Sequence, residues 1–477
     1  MRYKYLLISI LLFFTACGSG NGNNTIQEPK EALKHDITFK HSQKIVTIYV
    51  HGFKSDGYYR EGIYGDEYSS NFIDNLLTYT KYQTLNNYDV NNPFHIITGV
   101  EYYGNLPPKY YTQKDIEDIN STTNGIPRYA LIVAKYIKYI LNTTKAERVN
   151  IISASMGSLI TRYMIEKNLE NLSSDKKIEQ WMSTEGVIRG NYAITESDKI
   201  NSSMVKELLD SFFQNSPETK QMKYEWIDAN LTKRRDTMAS SYYKDILVGE
   251  ISLTDSDTNN GIGVKYILQL NGKFKPHDGY QLVRDTYFQK IENYLQVPSH
   301  TLIHIDHESI NDSTTLYASI SAFLEAKKRV RITLIDATIN ALHERITPTI
   351  NENAEIVFEN NIYSPKVKER WGINTLISQR VYNSGILPIH HYKNKKQTKE
   401  FEQILFDDFV LEDETKLEVE IKAYEIDRST KYNLNEVSTK SKEELSGSKI
   451  SIDLKDGVYP IVSDEWSGHI KVEVVKM

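Results

Sequence analysis

Val149-Asn150-Ile151-Ile152-Ser153-Ala154-Ser155-Met156-Gly157-Ser158-Leu159 joins a short buried-strand pattern, through a run of small residues, to a helical pattern that continues to Ile165. A strand, a sharp turn and a helix in that order lift a serine hydroxyl clear of its own backbone, provided that the flanking side chains are small. Ser155 meets that demand, with Ser153 two positions before it and Gly157 two after. The pattern is S-x-S-x-G where G-x-S-x-G is usual. A structural turn that merely contains serines is the competing explanation.

Working outward, Ile45-Val46-Thr47-Ile48-Tyr49-Val50 is a β-branched run that stops at His51-Gly52-Phe53, as expected of a buried strand feeding a tight loop. The backbone N–H groups of Phe53 and Met156 are the candidate donors to an oxyanion beside Ser155. Taken alone, without Ser155 downstream, His51 and Gly52 are better explained as a packed histidine and a turn glycine. Between the two strands, Pro127 and the spacing of Ile132, Val133, Tyr136, Ile137, Ile140 and Leu141 predict an amphipathic helix over 127–142. Further strand patterns lie around Trp181 and Met182, leading into Glu185-Gly186, and over Val264 to Leu270. Strands alternating with helices predict a mostly parallel sheet.

A serine nucleophile needs a base and an acid that orients the base. His277-Asp278-Gly279 offers Asp278 as the acid, against the alternative of an ordinary Asp-Gly turn. Leu302-Ile303-His304-Ile305-Asp306-His307 supplies a strand with His307 at its end, preferred over His304, His300 and His277. Asp306 points away from its neighbour in an extended segment and is a poor acid for it. The chain order is then Ser, Asp, His, unlike the orders of chymotrypsin-like and subtilisin-like enzymes.

Residues 196–250 are largely helical in pattern, with Met204, Leu208, Leu209, Phe212 and Phe213 forming an apolar stripe, and are expected to form an inserted cap. After about residue 325 the period changes to two. Leu417, Val419, Ile421 and Ala423 alternate with charged residues, as do Ile450, Ile452 and Leu454 with polar neighbours. With Arg329 to Asp336, Glu355 to Phe358 and Ile470 to Val474 as further strands, the C-terminal part reads as an antiparallel β-sandwich.

At the other end, Arg2 and Lys4 precede an apolar run from Leu6 to Phe14, too short for a mature membrane span but of the length and charge of an export signal. It ends in Phe14-Thr15-Ala16-Cys17-Gly18, which resembles the lipobox of bacterial lipoproteins; an ordinary cleaved signal with a coincidental cysteine is the alternative. Residues 18–25 are rich in Gly and Asn and read as part of a tether. Cys17 is the single cysteine among 477 residues, so no internal disulfide and no Cys-based zinc site can form. Lys and Arg number 57 against 63 Asp and Glu, a net charge of −6, which argues against nucleic acid as a partner. Hydrophobic residues make up 40% and charged residues 25%, which excludes a wholly disordered chain.

The segments His51-Gly52-Phe53, Val149 to Leu159, His277-Asp278-Gly279-Tyr280 and Asp306-His307-Glu308 together resemble the α/β-hydrolase fold, and within it the bacterial triacylglycerol lipase and esterase group. The resemblance covers about residues 44–325 and implies a serine hydrolase acting on carboxylic esters, with lipid as the expected substrate, Ser155, Asp278 and His307 as its triad and no cofactor. In that group the elbow commonly reads G-H-S-M-G-G; Ser153, Ala154 and Ser158 depart from it here. No ligand set for the calcium or zinc of some members is matched, so no metal is expected. The expected organisation is a lipoprotein signal over 1–17, a flexible tether over 18–40, an α/β-hydrolase domain over 41–325 and a β-sandwich over 326–477. An exported lipoprotein of the bacterial cell envelope, held at the outer membrane or cell surface by lipidated Cys17, is the expected location. The competing functions are a non-catalytic surface lipoprotein that binds a lipid, polymer or protein, for which the 33 tyrosines carry little weight, and a thioesterase, amidase or acyltransferase on the same fold.

Overall fold

Seven short strands lie side by side in one sheet, and every pairing between them is parallel. The computed structural model describes residues 45–53, 71–80, 82–85, 96–103, 106–197, 207, 216–232, 241–254, 277–288, 299–303, 307, 314–341, 354–372, 376–380, 387–393, 396–426 and 442–476. The strands are β1 (Ile45–Val50), β2 (Gln83–Thr84), β3 (Ile96–Val100), β4 (Arg148–Ala154), β5 (Ile178–Thr184), β6 (Leu247–Thr254) and β7 (Ser299–Ile303). Their order across the sheet is β2-β3-β1-β4-β5-β6-β7. A parallel sheet needs cover on both faces, which is why β1 and β5 are buried at every position rather than alternating with polar residues.

Helices supply that cover. Val46, Ile48 and Val50 share one apolar cluster with α2 (Gln113–Ser121), α3 (Ile126–Thr144) and α4 (Met156–Glu166), whereas Tyr49, Ile97, Ile152 and Met182 belong to a second cluster on the opposite face. The second cluster also takes in Phe72, Ile73 and Leu76 of α1 (Asn71–Tyr79) and the apolar side of the helix Thr314–Glu325. The helix predicted over 127–142 is α3, longer by a residue or two at each end, and the helix predicted to run to Ile165 is α4.

β6 begins in the last residues of the segment read as a helical cap and runs past its end, and no strand was expected there. The apolar stripe from Met204 to Phe213 and the strand expected over Val264 to Leu270 lie outside the described residues. So do the export signal, Cys17 and the tether. Among the described residues no helix is long and apolar enough to cross a membrane.

Beyond Ala326, which has φ +42°, the described residues form antiparallel strands, with a helix over Pro365–Trp371: β8 (Lys328–Ile339), β9 (Ala354–Tyr363), β10 (Leu376–Arg380), β11 (His390–Tyr392), β12 (Gln397–Val410), β13 (Lys416–Ile426), β14 (Lys442–Asp453), β15 (Gly457–Val462) and β16 (Trp466–Lys476). One sheet has the order β10-β9-β13-β14 with β11 also on β9, and the other the order β12-β8-β16-β15. Leu417, Val419, Ile421 and Ala423 are fully buried between them with Val330, Ile332, Leu334 and Trp466, as the two-residue period requires. The described residues form a parallel sheet with helices on both faces, followed by an antiparallel β-sandwich.

Candidate active site

Ser155 stands alone between β4 and α4 with φ +50° and ψ −124°, a conformation that a non-glycine residue adopts only when its surroundings impose it. Three backbone hydrogen bonds do so. Ser155 N donates to Thr184 O at 3.0 Å, while Ser158 N and Val187 N each donate to Ser155 O at 3.0 Å. The turn is also wedged against the end of β1. A Cβ on Gly157 would lie 2.3 Å from Val50 O and 2.4 Å from His51 O, and one on Gly52 would lie 2.9 Å from Ser155 Cβ. Both glycines are therefore needed to hold the His51–Phe53 loop beside the serine.

The departures from the usual elbow glycines have a structural reason. Ser153 is fully buried, and its Oγ accepts Trp181 Nε1–H at 2.7 Å and pairs with Ser158 Oγ at 3.0 Å. Ser183 Oγ donates to Ser158 Oγ at 3.0 Å. Hydroxyls thus replace hydrogens at positions 153 and 158 because a buried indole N–H and a third serine are there to bond with them.

His307 lies beyond the end of β7 and reaches back across the sheet. Its Nε2 is 2.9 Å from Ser155 Oγ and its Nδ1 is 2.8 Å from Asp278 Oδ2. Its backbone N–H donates to Asp278 O at 3.0 Å, which fixes the two loops to each other. Asp278 is fully buried; its Oδ1 accepts the N–H groups of Tyr280 at 3.0 Å and Gln281 at 2.7 Å, leaving Oδ2 for the imidazole. The Asp-Gly turn weighed as an alternative is real, with Gly279 at φ +100°, and it is what orients the carboxylate. Because an ionised carboxylate only accepts, the imidazole proton belongs on Nδ1, and Nε2 is left to accept from the serine hydroxyl.

The loop after β1 is held by residues that follow β3. His51 is buried and stacks on Tyr102 with ring centroids 4.1 Å apart, and the Tyr102 hydroxyl donates to His51 O and Gly52 O, each at 2.8 Å. His51 Nε2 is 3.4 Å from Glu101 Oε1. His51 is therefore a packed residue that fixes the loop, while Phe53 is half-buried next to it. Met156 opens α4, where the first N–H groups of a helix have no partner within it. Of the rival histidines, His277 is buried in the Asp278 turn, and its Nδ1 accepts Gly279 N–H at 3.2 Å. His304, Asp306 and the side chain of His300 lie outside the described residues.

Reading by sequence missed one carboxyl. Glu185, at φ +38° just after β5, is 2% exposed. Burial pushes its carboxyl up to about 8; the His307 charge opposes this and the Asp278 charge adds to it. The available signal was an acid placed immediately after a buried strand. Among the described residues no group of three or more His, Cys, Asp or Glu is disposed to hold a metal ion.

No family model matches the sequence, and no curated protein matches it. Solved structures do. A lipase of Bacillus licheniformis, BlEst2 in mature form, is 12% identical over 61% of this chain and 95% of its own, with a TM-score of 0.37. Phospholipase PlaB of Legionella pneumophila is 10% identical over 82% of this chain and 87% of its own, with a TM-score of 0.33. A metagenomic carboxyl esterase, MGS0156, is 12% identical over 62% and 74%, with a TM-score of 0.32. Likenesses this distant bear on no point of chemistry, which stands on the side-chain geometry.

Proposed function

We propose that this chain is a serine hydrolase of carboxylic esters, with Ser155 as nucleophile, His307 as general base and Asp278 as the residue that orients and charge-stabilises His307. The observation that carries this reading is the continuous path from Ser155 Oγ through His307, 2.9 Å on one side, to Asp278, 2.8 Å on the other. In this mechanism His307 Nε2 takes the hydroxyl proton as Oγ attacks the ester carbonyl. The N–H groups of Met156 and Phe53 receive the oxyanion, and the imidazolium returns its proton to the leaving alcohol. Water then attacks the acyl-enzyme by the same proton traffic in reverse.

The pinned conformation of Ser155 supports the reading over that of a turn with an incidental serine. A strained non-glycine residue is kept where its strain has a use, and here it aims the hydroxyl at an imidazole. Wild-type protein is expected to react covalently with a fluorophosphonate probe and to hydrolyse p-nitrophenyl esters across a panel of chain lengths. Ser155→Ala should abolish both, and His307→Ala should lower hydrolysis by at least about a thousandfold, the usual scale for loss of a triad member. Labelling that persists in Ser155→Ala would refute the assignment. An unlabelled wild type would point to the binding-protein reading, and preference for thioesters over esters would move the substrate class.

A lipid ester is the proposed substrate, resting on the resemblance of the motifs to the lipase and esterase group, and the bacterial cell envelope is the proposed location, resting on the lipobox-like run around Cys17. Full-length Cys17→Ser should move from the membrane fraction to the soluble fraction on expression in a bacterial host. Unchanged partitioning would remove lipidation as the anchor.

A further inference from the structure

The turn after β5 is part of the nucleophile's mounting. Thr184 O accepts Ser155 N–H, Val187 N donates to Ser155 O, and between them Glu185 N donates to Ile251 O at 2.7 Å. Gly186 leaves this turn no room to relax, since a Cβ there would lie 2.1 Å from Ser183 Oγ and 2.8 Å from Ser158 Oγ. Glu185 is thereby fixed, at positive φ, in the turn whose flanking residues hold the serine. Its side chain is buried, and Oε2 has no hydrogen-bond partner among the described residues.

A buried carboxylate without donors is costly in its charged form, so a carboxyl kept in such a place stays protonated unless a positive charge appears beside it. The charges that act on Glu185 are those of His307, which favours its ionisation, and of Asp278, which opposes it. Glu250, on the adjacent strand β6, is turned to Phe288 N–H at 2.9 Å and faces Arg162 instead. Burial, with the Asp278 charge adding to it and the His307 charge opposing it, therefore keeps Glu185 protonated at neutral pH.

We propose that Glu185 is a second carboxyl of the site, a positioning residue that is neutral while Asp278 is ionised and becomes the negative partner of His307 once Asp278 is removed or the solution is made alkaline. Its proton is released to solvent on ionisation, so no further reactant is required. This inference rests on the triad reading above for its catalytic consequence, but the charge coupling between Glu185 and His307 does not depend on turnover.

Two measurements on the full-length protein decide it. In an NMR titration, the His307 ring signals of the wild type should show an inflection near pH 8 as Glu185 ionises, in addition to the titration of the imidazole itself, and Glu185→Gln should lack it. In hydrolysis at pH 8, Asp278→Ala should retain activity that falls at least about tenfold when Glu185→Gln is added, since Glu185 is then the remaining carboxylate facing His307. Identical His307 titrations in wild type and Glu185→Gln overturn the proposal, whether or not the Asp278→Ala proteins fold. So do folded single and double variants of equal activity. Loss of labelling in Ser155→Ala together with unaltered His307 titration in Glu185→Gln would leave the hydrolase reading standing and this inference refuted; the converse pair of results would refute the hydrolase reading alone.

Discussion

Two carboxyls less than a hundred residues apart in sequence, Glu185 and Asp278, are held in opposite conditions. Asp278 receives two backbone N–H groups and the imidazole, so its charge is matched by donors on both oxygens. Glu185 is buried with an oxygen that takes no donor, and its carboxyl is lifted to about 8 from an ordinary value of 4.5. The consequence for stability follows from proton linkage. Between about 4.5 and 8 the folded protein keeps a proton on Glu185 that the unfolded chain releases, so this residue's contribution to stability is full below 4.5, declines as pH rises, and is exhausted above 8. Glu185→Gln lacks that proton but preserves the shape of the side chain. The midpoint of thermal unfolding of the wild type is therefore expected to fall relative to that of Glu185→Gln between pH 5 and pH 8, and the difference should level off above that. A difference that is constant across the range would mean that Glu185 is ionised in the folded protein at neutral pH.

At the scale of elements, the strands that reveal themselves in sequence are those whose burial needs no polar help. Ile45–Val50 is an unbroken apolar and β-branched run, and the strand occupies those same residues. In β13 the alternation of Leu417, Val419, Ile421 and Ala423 with charged residues has the period of a strand buried on one face, and so was legible too. β6 was not, because two of its residues carry the signals of a loop. Gly249 is required where the ring of Phe323 comes within 2.5 Å of the position that a Cβ would occupy, and Glu250 is buried with its carboxyl oxygen on Phe288 N–H. Both are answers to neighbours that lie far away in the chain, which no local pattern contains. The candidate site divides the same way. Small residues around Ser155 and the order Ser155, Asp278, His307 were legible, since they follow from what a strand-end nucleophile needs from later loops. That Ser153 exists to receive Trp181 Nε1–H, that Tyr102 ties down the His51 loop, and that Glu185 is enclosed all depend on contacts across the sheet.

For the whole molecule, the change of sequence period near residue 325 marks a change of architecture without marking a break in the core. The helix Thr314–Glu325 lies between the parallel sheet and the sandwich, and Leu316, Tyr317, Ile320 and Phe323 are almost completely buried in a cluster that holds Tyr49, Phe72 and Met182 together with Val330, Phe406 and Phe409. The rings of Phe323 and Phe409 meet edge to face with centroids 5.6 Å apart. Tyr79 stacks on Tyr317 and meets Trp371, while Arg370 pairs with Glu325 at 2.7 Å. On the sandwich side, Asp407 is buried between Arg329 at 2.8 Å and Arg331 at 3.0 Å, a set of charges that is matched only while β8 and β12 are paired. A chain ended at residue 325 would lose the sandwich face of this cluster. Exposing a buried Leu, Ile or Phe costs about 1.5–3 kcal/mol each, against a total stability of about 5–15 kcal/mol for a typical protein, so losing cover on a few such side chains is enough to unfold or aggregate the remainder. Residues 41–325 expressed alone should therefore be insoluble or bind a hydrophobic dye, and the intact chain should give one calorimetric transition in which both parts melt together. A soluble 41–325 fragment with the melting temperature and fluorophosphonate reactivity of the intact protein would show instead that the sandwich is an independent attachment, and that Phe323 and its neighbours find other cover without it.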